Sequence, residues 1–153
     1  MWKDKFIETL QLLGHRNWIL IVDKAYPLQS ANGIDYINTG ESHEEVLKYV
    51  LGEVAAASHI KPAIYTDKEF DYLAALGEKE AEMVAAMQRA FEGYDVQSIL
   101  HDEIFTKLDT ASKLFNVLVI KTESTVAYSS VFLELDCGYW TAEKEAALRA
   151  AMK

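Results

Sequence analysis

Residues 14–27, GHRNWILIVDKAYP, decide the fold of this chain. Within them, Trp18–Val22 is a continuous apolar run that is β-branched in part and too short to be a helix. A strand that is apolar on both faces is typical of the interior of a parallel sheet covered by helices. Gly14 closes an amphipathic helix before this strand, and Asp23 follows the strand directly.

Two titratable residues flank the strand: His15 where the chain enters it, and Asp23 where the chain leaves it. The ordinary interpretation is a loop histidine after a helix end and an aspartate that forms a turn. Alternatively, the pair places an imidazole and a carboxylate near the same sheet. The spacing by itself leaves both interpretations open.

Length and composition limit the class of protein. The chain has 153 residues, 50% of them hydrophobic, and a net charge of −9. This length predicts one domain that buries most of its core. No apolar run approaches the roughly 18 residues of a membrane span and no signal-peptide pattern is present, so we expect a cytoplasmic protein without a membrane partner. An acidic chain without a basic stripe argues against nucleic-acid binding.

Hydrophobic periodicity and turn residues predict helices alternating with strands. We expect helices over about 3–13, 42–57, 78–91, 102–115 and 141–153, and strands over about 18–22, 35–39, 60–65, 96–100, 117–121 and 131–135. Ser42 and Thr141 are expected helix caps, and Pro62 favours an edge or early position in its strand. No helical pattern joins the last two strands, which favours a mixed sheet. We therefore predict an α/β fold, a three-layer α/β/α single domain over 1–153 with a mixed, mostly parallel sheet and an added C-terminal helix.

Other site chemistries find little support in the sequence. Cys137 is the only cysteine, so neither an intrachain disulfide nor a cysteine metal cluster can form. The histidines show no His-Glu-x-x-His pattern, and we expect no metal site. His43, in a capping box, and His59, before a strand, are expected at ordinary surface positions. Ser129 and Ser130 lie on no Gly-x-Ser-x-Gly elbow, which argues against a serine hydrolase.

Four short motifs follow one another along the chain: Gly14-His15, Asp23-x-x-x-Pro27, Gly33-Ile34-Asp35-x-x-x-Thr39 and Tyr128-Ser129-Ser130. In order and spacing, this set resembles the D-ribose pyranase and fucose mutarotase family of sugar mutarotases, from about residue 6 to about residue 138. The resemblance implies an isomerase that acts on a free monosaccharide without a cofactor. It also implies a homo-oligomer, commonly a decameric ring, with sites at subunit interfaces.

The resemblance assigns roles to individual residues. His15 takes the acid–base role, which suits histidine because both of its protonation states exist near neutral pH. Asp23 matches a sugar-binding carboxylate, and Tyr128 matches a tyrosine beside the sugar with a share in catalysis. Ser130, the remaining substrate-binding position, stands where the family usually presents an asparagine. We expect His15, Asp23 and Tyr128 to converge on one pocket at the carboxyl ends or margins of the sheet.

A further family position carries a basic residue at the end of a strand, just before a helix. His101 fills that structural place, although its distance from Tyr128 is several residues longer than the family's usual interval. If the family's usual interval is counted back from Tyr128 without an insertion, Thr106 takes this position instead. We favour His101 as the substrate-binding residue.

Three residues depart from the family pattern. Asn17 stands where an acidic residue is common, and an amide cannot hold an imidazolium by charge. Lys24 replaces a small residue, and its ammonium can pair with Asp23, meet an anionic sugar or point to solvent. Ser130 offers one donor where asparagine offers two. These departures favour an alternative, a non-catalytic monosaccharide-binding accessory protein of sugar uptake or catabolism. A third hypothesis is an α/β assembly protein without a ligand.

Large aromatic residues are numerous for one small sheet core. They are Trp2, Trp18, Tyr26, Tyr36, Tyr139 and Trp140. Because tyrosine and tryptophan are favoured at interfaces, they predict a homo-oligomer in which Tyr26 or the Tyr139-Trp140 pair helps to wall a neighbour's site. Alternatively, these side chains cover the core edges of their own subunit.

Overall fold

One six-stranded sheet lies at the centre of the computed structural model, which describes all 153 residues. The strands are β1 (Trp18–Val22), β2 (Ile34–Asn38), β3 (Ile60–Asp67), β4 (Val96–Ile99), β5 (Val117–Lys121) and β6 (Val131–Cys137). The helices are α1 (Trp2–Leu10), α2 (His43–Ala56), α3 (Glu78–Ala90), α4 (His101–Ala111) and α5 (Ala142–Ala151). A 3-10 helix, Lys68–Leu76, joins β3 to α3 and was not predicted.

The strand order across the sheet is β2-β5-β1-β6-β3-β4. All neighbouring pairs are parallel except those of β6, which runs antiparallel between β1 and β3. Ile21 of β1 and Thr66 of β3 both pair with Val131 at the start of β6. The first residues of β6 therefore lie at the edge where the parallel strands end, which we call the carboxyl edge. The opposite edge, which holds Trp18, is the amino edge.

Helices cover both faces of this sheet and confirm the predicted three-layer α/β fold. β1 is buried at every position. Ile19 and Ile21 pack in a cluster with α1, α2, α3 and the 3-10 helix, whereas Leu20 and Val22 pack in a cluster with α4. A strand buried on both faces must be apolar throughout, which explains the continuous run in the sequence.

The predicted caps are present. Ser42 Oγ accepts a hydrogen bond from the Glu45 amide at 3.3 Å, and Thr141 Oγ1 accepts one from the Lys144 amide at 3.1 Å. Pro62 lies early in β3, ahead of Ile64, where pairing with β4 begins. At Pro62 the strand therefore has a partner on one side only, and its missing amide hydrogen costs no ladder hydrogen bond there.

Helix α4 differs from its prediction at both ends. It begins at His101 and ends at Ala111, four residues before the expected end at Phe115. The Phe115 amide still bonds to the Ala111 carbonyl at 2.8 Å, but the chain turns there to reach β5. Pairing with β1 and β2 fixes where β5 starts. The turn that leads to β5 therefore uses residues that were predicted to be the last turn of the helix.

The expected interface aromatics differ in burial, and Trp2 and Tyr36 are half-buried. Trp18 and Tyr26 are buried within their own chain, whereas Tyr139 and Trp140 are 69% and 39% exposed. α5 follows this exposed pair and buries none of its residues. No helix of the structure has the length and apolar character needed to cross a bilayer.

Candidate functional site

Four of the five predicted site residues lie at the carboxyl edge, and Ser130, directly before β6, is one of them. Asp23 follows β1, His101 begins α4 just beyond β4, and Tyr128 precedes β6. The ring centroids of His101 and Tyr128 are 5.3 Å apart, with their planes at 85°. Partial burial raises the pKa of Asp23, while its backbone hydrogen bond and the charges of Lys121 and His101 oppose that shift. Asp23, His101 and Tyr128 therefore form one group, the carboxyl-edge cluster.

A second carboxylate, Asp67, ends β3 at this edge and was not among the site residues predicted from the sequence. Its side chain is fully buried. Asp67 Oδ1 lies 3.0 Å from His101 Nδ1, whereas Oδ2 has no hydrogen-bond partner. Burial raises the pKa of Asp67 to about 6, despite the opposing hydrogen bond and charge of His101. The signal that could have found it is an acidic residue at the end of a buried strand, the same signal as at Asp23.

His101 is held from several sides. Its ring makes an edge contact with Phe105 at a centroid distance of 4.5 Å, and its backbone amide donates to Glu69 Oε1 at 3.1 Å. Thr106, the alternative candidate, is exposed, and its hydroxyl donates to the Asp102 carbonyl one turn earlier. The structure therefore brings His101, and not Thr106, against Tyr128.

Tyr128 adopts a backbone conformation that is unusual for a bulky residue, with φ of 59°. The next residue, Ser129, fixes this turn through its hydroxyl, which donates to the Val126 carbonyl at 2.7 Å and lies 3.2 Å from Ser124 Oγ. Ser130 is buried directly before β6. The strained turn leaves the Tyr128 side chain 41% exposed beside His101, and strain of this kind is common at functional sites.

The expectation that His43 lies at the surface was wrong. It is 2% exposed, and its Nε2 lies 2.7 Å from the Ser129 carbonyl, to which it donates. Burial lowers the pKa of His43 to about 4, although this hydrogen bond opposes the shift. His43 shares the inner face of α2 with Val46, Leu47 and Val50, a helical spacing that predicts burial. The capping box predicted where α2 begins, but it did not predict that the side chain of its first residue, His43, points into the core.

His59 also departs from the expected surface position. It is half-buried, and its Nε2 lies 3.1 Å from the Leu10 carbonyl at the end of α1. It has no contact with the carboxyl-edge cluster.

His15 lies at the amino edge, apart from the cluster. Its Nδ1 is 2.8 Å from Asp136 Oδ1, and each side chain is 56% exposed. Asn17 makes no hydrogen bond to His15. Its Oδ1 accepts a hydrogen bond from the Gly14 amide, and its Nδ2 donates one to the Asn116 carbonyl. Asp136 thus supplies the charge that Asn17 lacks.

The length of β1 separates His15 from Asp23, a distance of roughly 17 Å for five residues at strand rise. One chain therefore does not bring His15 to the carboxyl-edge cluster. Convergence of His15, Asp23 and Tyr128 on one pocket stays a prediction that requires more than one copy.

Lys24 makes a contact that was not predicted. Its ammonium pairs with Glu123 at 2.9 Å rather than with Asp23, and both side chains are about half exposed. The Lys24 amide donates to the Ser124 carbonyl at 2.7 Å, which brings the two segments together and places Glu123 within reach.

The carboxyl-edge cluster is open in a single chain. A cavity of about 380 Å³ lies beside it, lined by Tyr26 and Phe105 but not by Asp23, His101 or Tyr128. No group of three or more histidine, cysteine or acidic side chains is placed to hold a metal ion.

Comparison with known proteins assigns the family. The model of the RbsD / FucU transport protein family matches residues 3–137. The chain belongs to the RbsD/FucU family. This confirms the resemblance seen in the sequence motifs. No curated protein sequence matches the chain.

Solved structures share the RbsD/FucU fold at low sequence identity. Bacillus subtilis RbsD complexed with D-ribose superposes with a TM-score of 0.58 at 16% identity, covering 90% of this chain and 93% of that one. The fucose mutarotase of Streptococcus pneumoniae in complex with L-fucose gives 0.56 at 16%, covering 86% and 91%. FucU from Bifidobacterium longum gives 0.51 at 16%, covering 87% and 94%.

The buried His43 predicts a specific acid sensitivity. Between its usual pKa of 6.5 and its folded value of about 4, the unfolded chain binds more protons, so stability falls as pH decreases. At about 1.4 kcal/mol per pKa unit, the loss on reaching pH 4 is on the order of 3 kcal/mol. His43→Gln keeps a donor for the Ser129 carbonyl but cannot titrate. Urea unfolding from pH 7 to 4 should therefore show a smaller loss in His43→Gln than in the parent.

His59→Gln is the matched control and should retain the parent's acid sensitivity, because His43 still titrates in it. Parallel stability profiles for the parent and His43→Gln would contradict the buried, neutral assignment of His43.

Proposed function

We propose that this protein is a cofactor-independent aldose mutarotase or pyranase, which interconverts anomers or ring forms of a free monosaccharide by general acid–base catalysis. Membership of the RbsD/FucU family supports this proposal. The observation that carries it is the carboxyl-edge cluster, in which an imidazole and a phenol lie in contact beside a partly buried carboxylate.

The reaction consists of two proton transfers and one reversible bond cleavage. A base removes the proton from the anomeric hydroxyl, C1 and that oxygen become a carbonyl, and the bond between C1 and the ring oxygen breaks. An acid then gives a proton to the ring oxygen. Reclosure on the other face of the carbonyl, or through another hydroxyl, reverses these steps. Side chains that transfer protons in this way typically contribute about 10²–10⁴ in rate.

The cluster offers the groups that hold such a ligand. The Asp23 carboxylate can accept hydrogen bonds from two sugar hydroxyls. The Tyr128 phenol can donate to a sugar oxygen and take part in proton transfer, while its ring face covers the sugar. His101 and Ser130 complete the substrate-binding groups of this chain.

A neutral aldose suits the charge of the site. Asp23 and Asp67 are acidic, and the ammonium of Lys24 is already paired with Glu123. An anionic sugar would meet the Asp23 carboxylate, with the buried Asp67 behind it, without a free cation from Lys24. B. subtilis RbsD is complexed with D-ribose and the S. pneumoniae mutarotase with L-fucose, which makes these two neutral sugars the first substrates to test.

We propose that His15 acts as an acid–base group from another copy, in a homo-oligomer such as a decameric ring. His15 is half exposed, held by Asp136, and distant from the cluster of its own chain. The exposed Tyr139 and Trp140 supply aromatic surface for such an assembly. A second subunit would also cover the Tyr128 side of the cluster.

The second candidate function is a monosaccharide-binding accessory protein without turnover. The separation of His15 from the cluster within one chain and the serine at position 130 favour it. Such a protein would bind ribose or fucose without accelerating the exchange of anomers.

Anomer exchange measured by saturation-transfer NMR tests the catalytic proposal. The parent should accelerate exchange of ribose or fucose, and His15→Ala should lower that rate on the order of 10²-fold because a proton-transfer group is lost. The fold should survive because His15 lies in an exposed turn. His59→Ala, outside the site, should exchange anomers at the parent rate. A folded His15→Ala protein with the parent rate would show that another group does the chemistry.

Mixing two inactive variants tests the shared site. His15→Ala and Asp23→Asn should each be slow alone, but co-assembled chains should regain activity. Random mixing at a heterologous interface would place an intact His15 beside an intact Asp23 in about a quarter of the sites. Light scattering on the same samples reports the assembly. No recovery of activity, or a monomer mass near 17.3 kDa, would contradict a site built from two copies.

A further inference from the structure

We propose that Asp67 is a positioning residue for His101, which it fixes as the Nδ1–H tautomer so that the Nε2 lone pair faces the sugar. This inference takes from the proposed function only that the ligand is a sugar. It makes His101 a proton acceptor in the carboxyl-edge cluster as well as a binding residue.

The topology of the sheet brings the two side chains together. Asp67 is the last residue of β3 and pairs with Ile99, the last residue of β4. His101 follows Ile99 by two residues and starts α4. Because Asp67 is completely buried, it does not touch a ligand, and the cluster side chain to which it hydrogen-bonds is His101.

The tautomer follows from the hydrogen bond. An ionised carboxylate has no hydrogen to give, so the 3.0 Å contact with Asp67 Oδ1 requires the hydrogen on His101 Nδ1. In a neutral imidazole the other nitrogen, Nε2, then carries a lone pair. Nε2 has no protein partner and is not among the buried unpartnered atoms, so it reaches solvent. Phe105 and Tyr128 contact the ring and limit its rotation.

The carboxylate at position 67 is costly to the fold. Its Oδ2 is buried without a partner, and both burial and the neighbouring charges of Glu69 and Asp23 raise its pKa. A buried pair of this kind adds little net stability compared with well-packed apolar residues. Since the Asp67 carboxylate adds little stability, its hydrogen bond to His101 is better explained by a role in orienting the imidazole than by a role in stabilising the fold.

The fixed tautomer also defines the hydrogen-bond pattern of the site. His101 Nε2 and the Asp23 carboxylate are acceptors, and the Tyr128 hydroxyl is a donor. A ligand that matches them presents hydroxyl hydrogens and an acceptor oxygen, as a cyclic hemiacetal does. When Nε2 takes a proton from a sugar hydroxyl, the imidazolium gains the adjacent Asp67 carboxylate as its counterion.

Nitrogen NMR of the histidine side chains in the full-length protein tests the inference directly. His101 should show a protonated Nδ1 and an unprotonated Nε2 in the neutral ring. In Asp67→Asn the amide can donate to Nδ1, so the Nε2–H tautomer should grow, and anomer exchange of ribose or fucose should fall on the order of 10²-fold, as expected when a proton acceptor is lost. Asp71→Asn is the matched control, because this exposed carboxylate bonds to Ser98 and should affect neither readout.

Two further comparisons separate a positioning role from a merely structural one. Asp67→Asn should have no additional effect on exchange in a His101→Gln background, because the residue acts through His101. An Nε2–H tautomer of His101 in the parent, or an Asp67→Asn effect that persists in full without His101, would overturn the inference. A parent protein with the predicted tautomer but no anomer exchange would refute the catalytic proposal and leave the positioning of His101 intact.

Discussion

The antiparallel placement of β6 between β1 and β3 is the constraint on which the candidate site depends. The parallel strands end at the carboxyl edge, and an antiparallel neighbour must begin there. The turn before β6 thus delivers Tyr128 next to the residues that follow β1 and β4. A parallel β6 would place that turn at the amino edge, roughly 17 Å away, on the side of His15.

Two buried polar contacts then fix the positions of the cluster residues at these strand ends. On the α2 face, His43 donates to the Ser129 carbonyl and supports the strained turn that carries Tyr128. On the α4 face, Asp67 bonds to the imidazole of His101. Each contact places a buried polar group directly behind the cluster, one behind the turn that carries Tyr128 and one behind His101. The cluster is therefore positioned from behind by the fold, while its front remains open to a ligand and to a second subunit.

Patterns local in the sequence predicted most of the fold. The alternation of helical and strand patterns, the apolar run of β1 and the missing helix before β6 predicted a three-layer α/β fold with a mixed sheet. The site was harder, because its contacts join distant segments. Asp67 and His101 are 34 residues apart and meet only through the pairing of β3 with β4, which no local pattern fixes. His43 and the His15–Asp136 pair show the same limit, since a capping box and a turn do not state which way a side chain points.

A crystal structure of the full-length protein grown with D-ribose or L-fucose would test most directly whether the carboxyl-edge cluster is a monosaccharide site. The sugar should lie at the end of the sheet where β1 and β4 finish and β6 begins. We expect its oxygens within hydrogen-bond distance of the Asp23 carboxylate, His101 Nε2 and the Tyr128 hydroxyl. If the sugar instead occupied only the amino-edge surface around His15 and Asp136, and Asp23 and His101 had no ligand contact, the central claim would be contradicted.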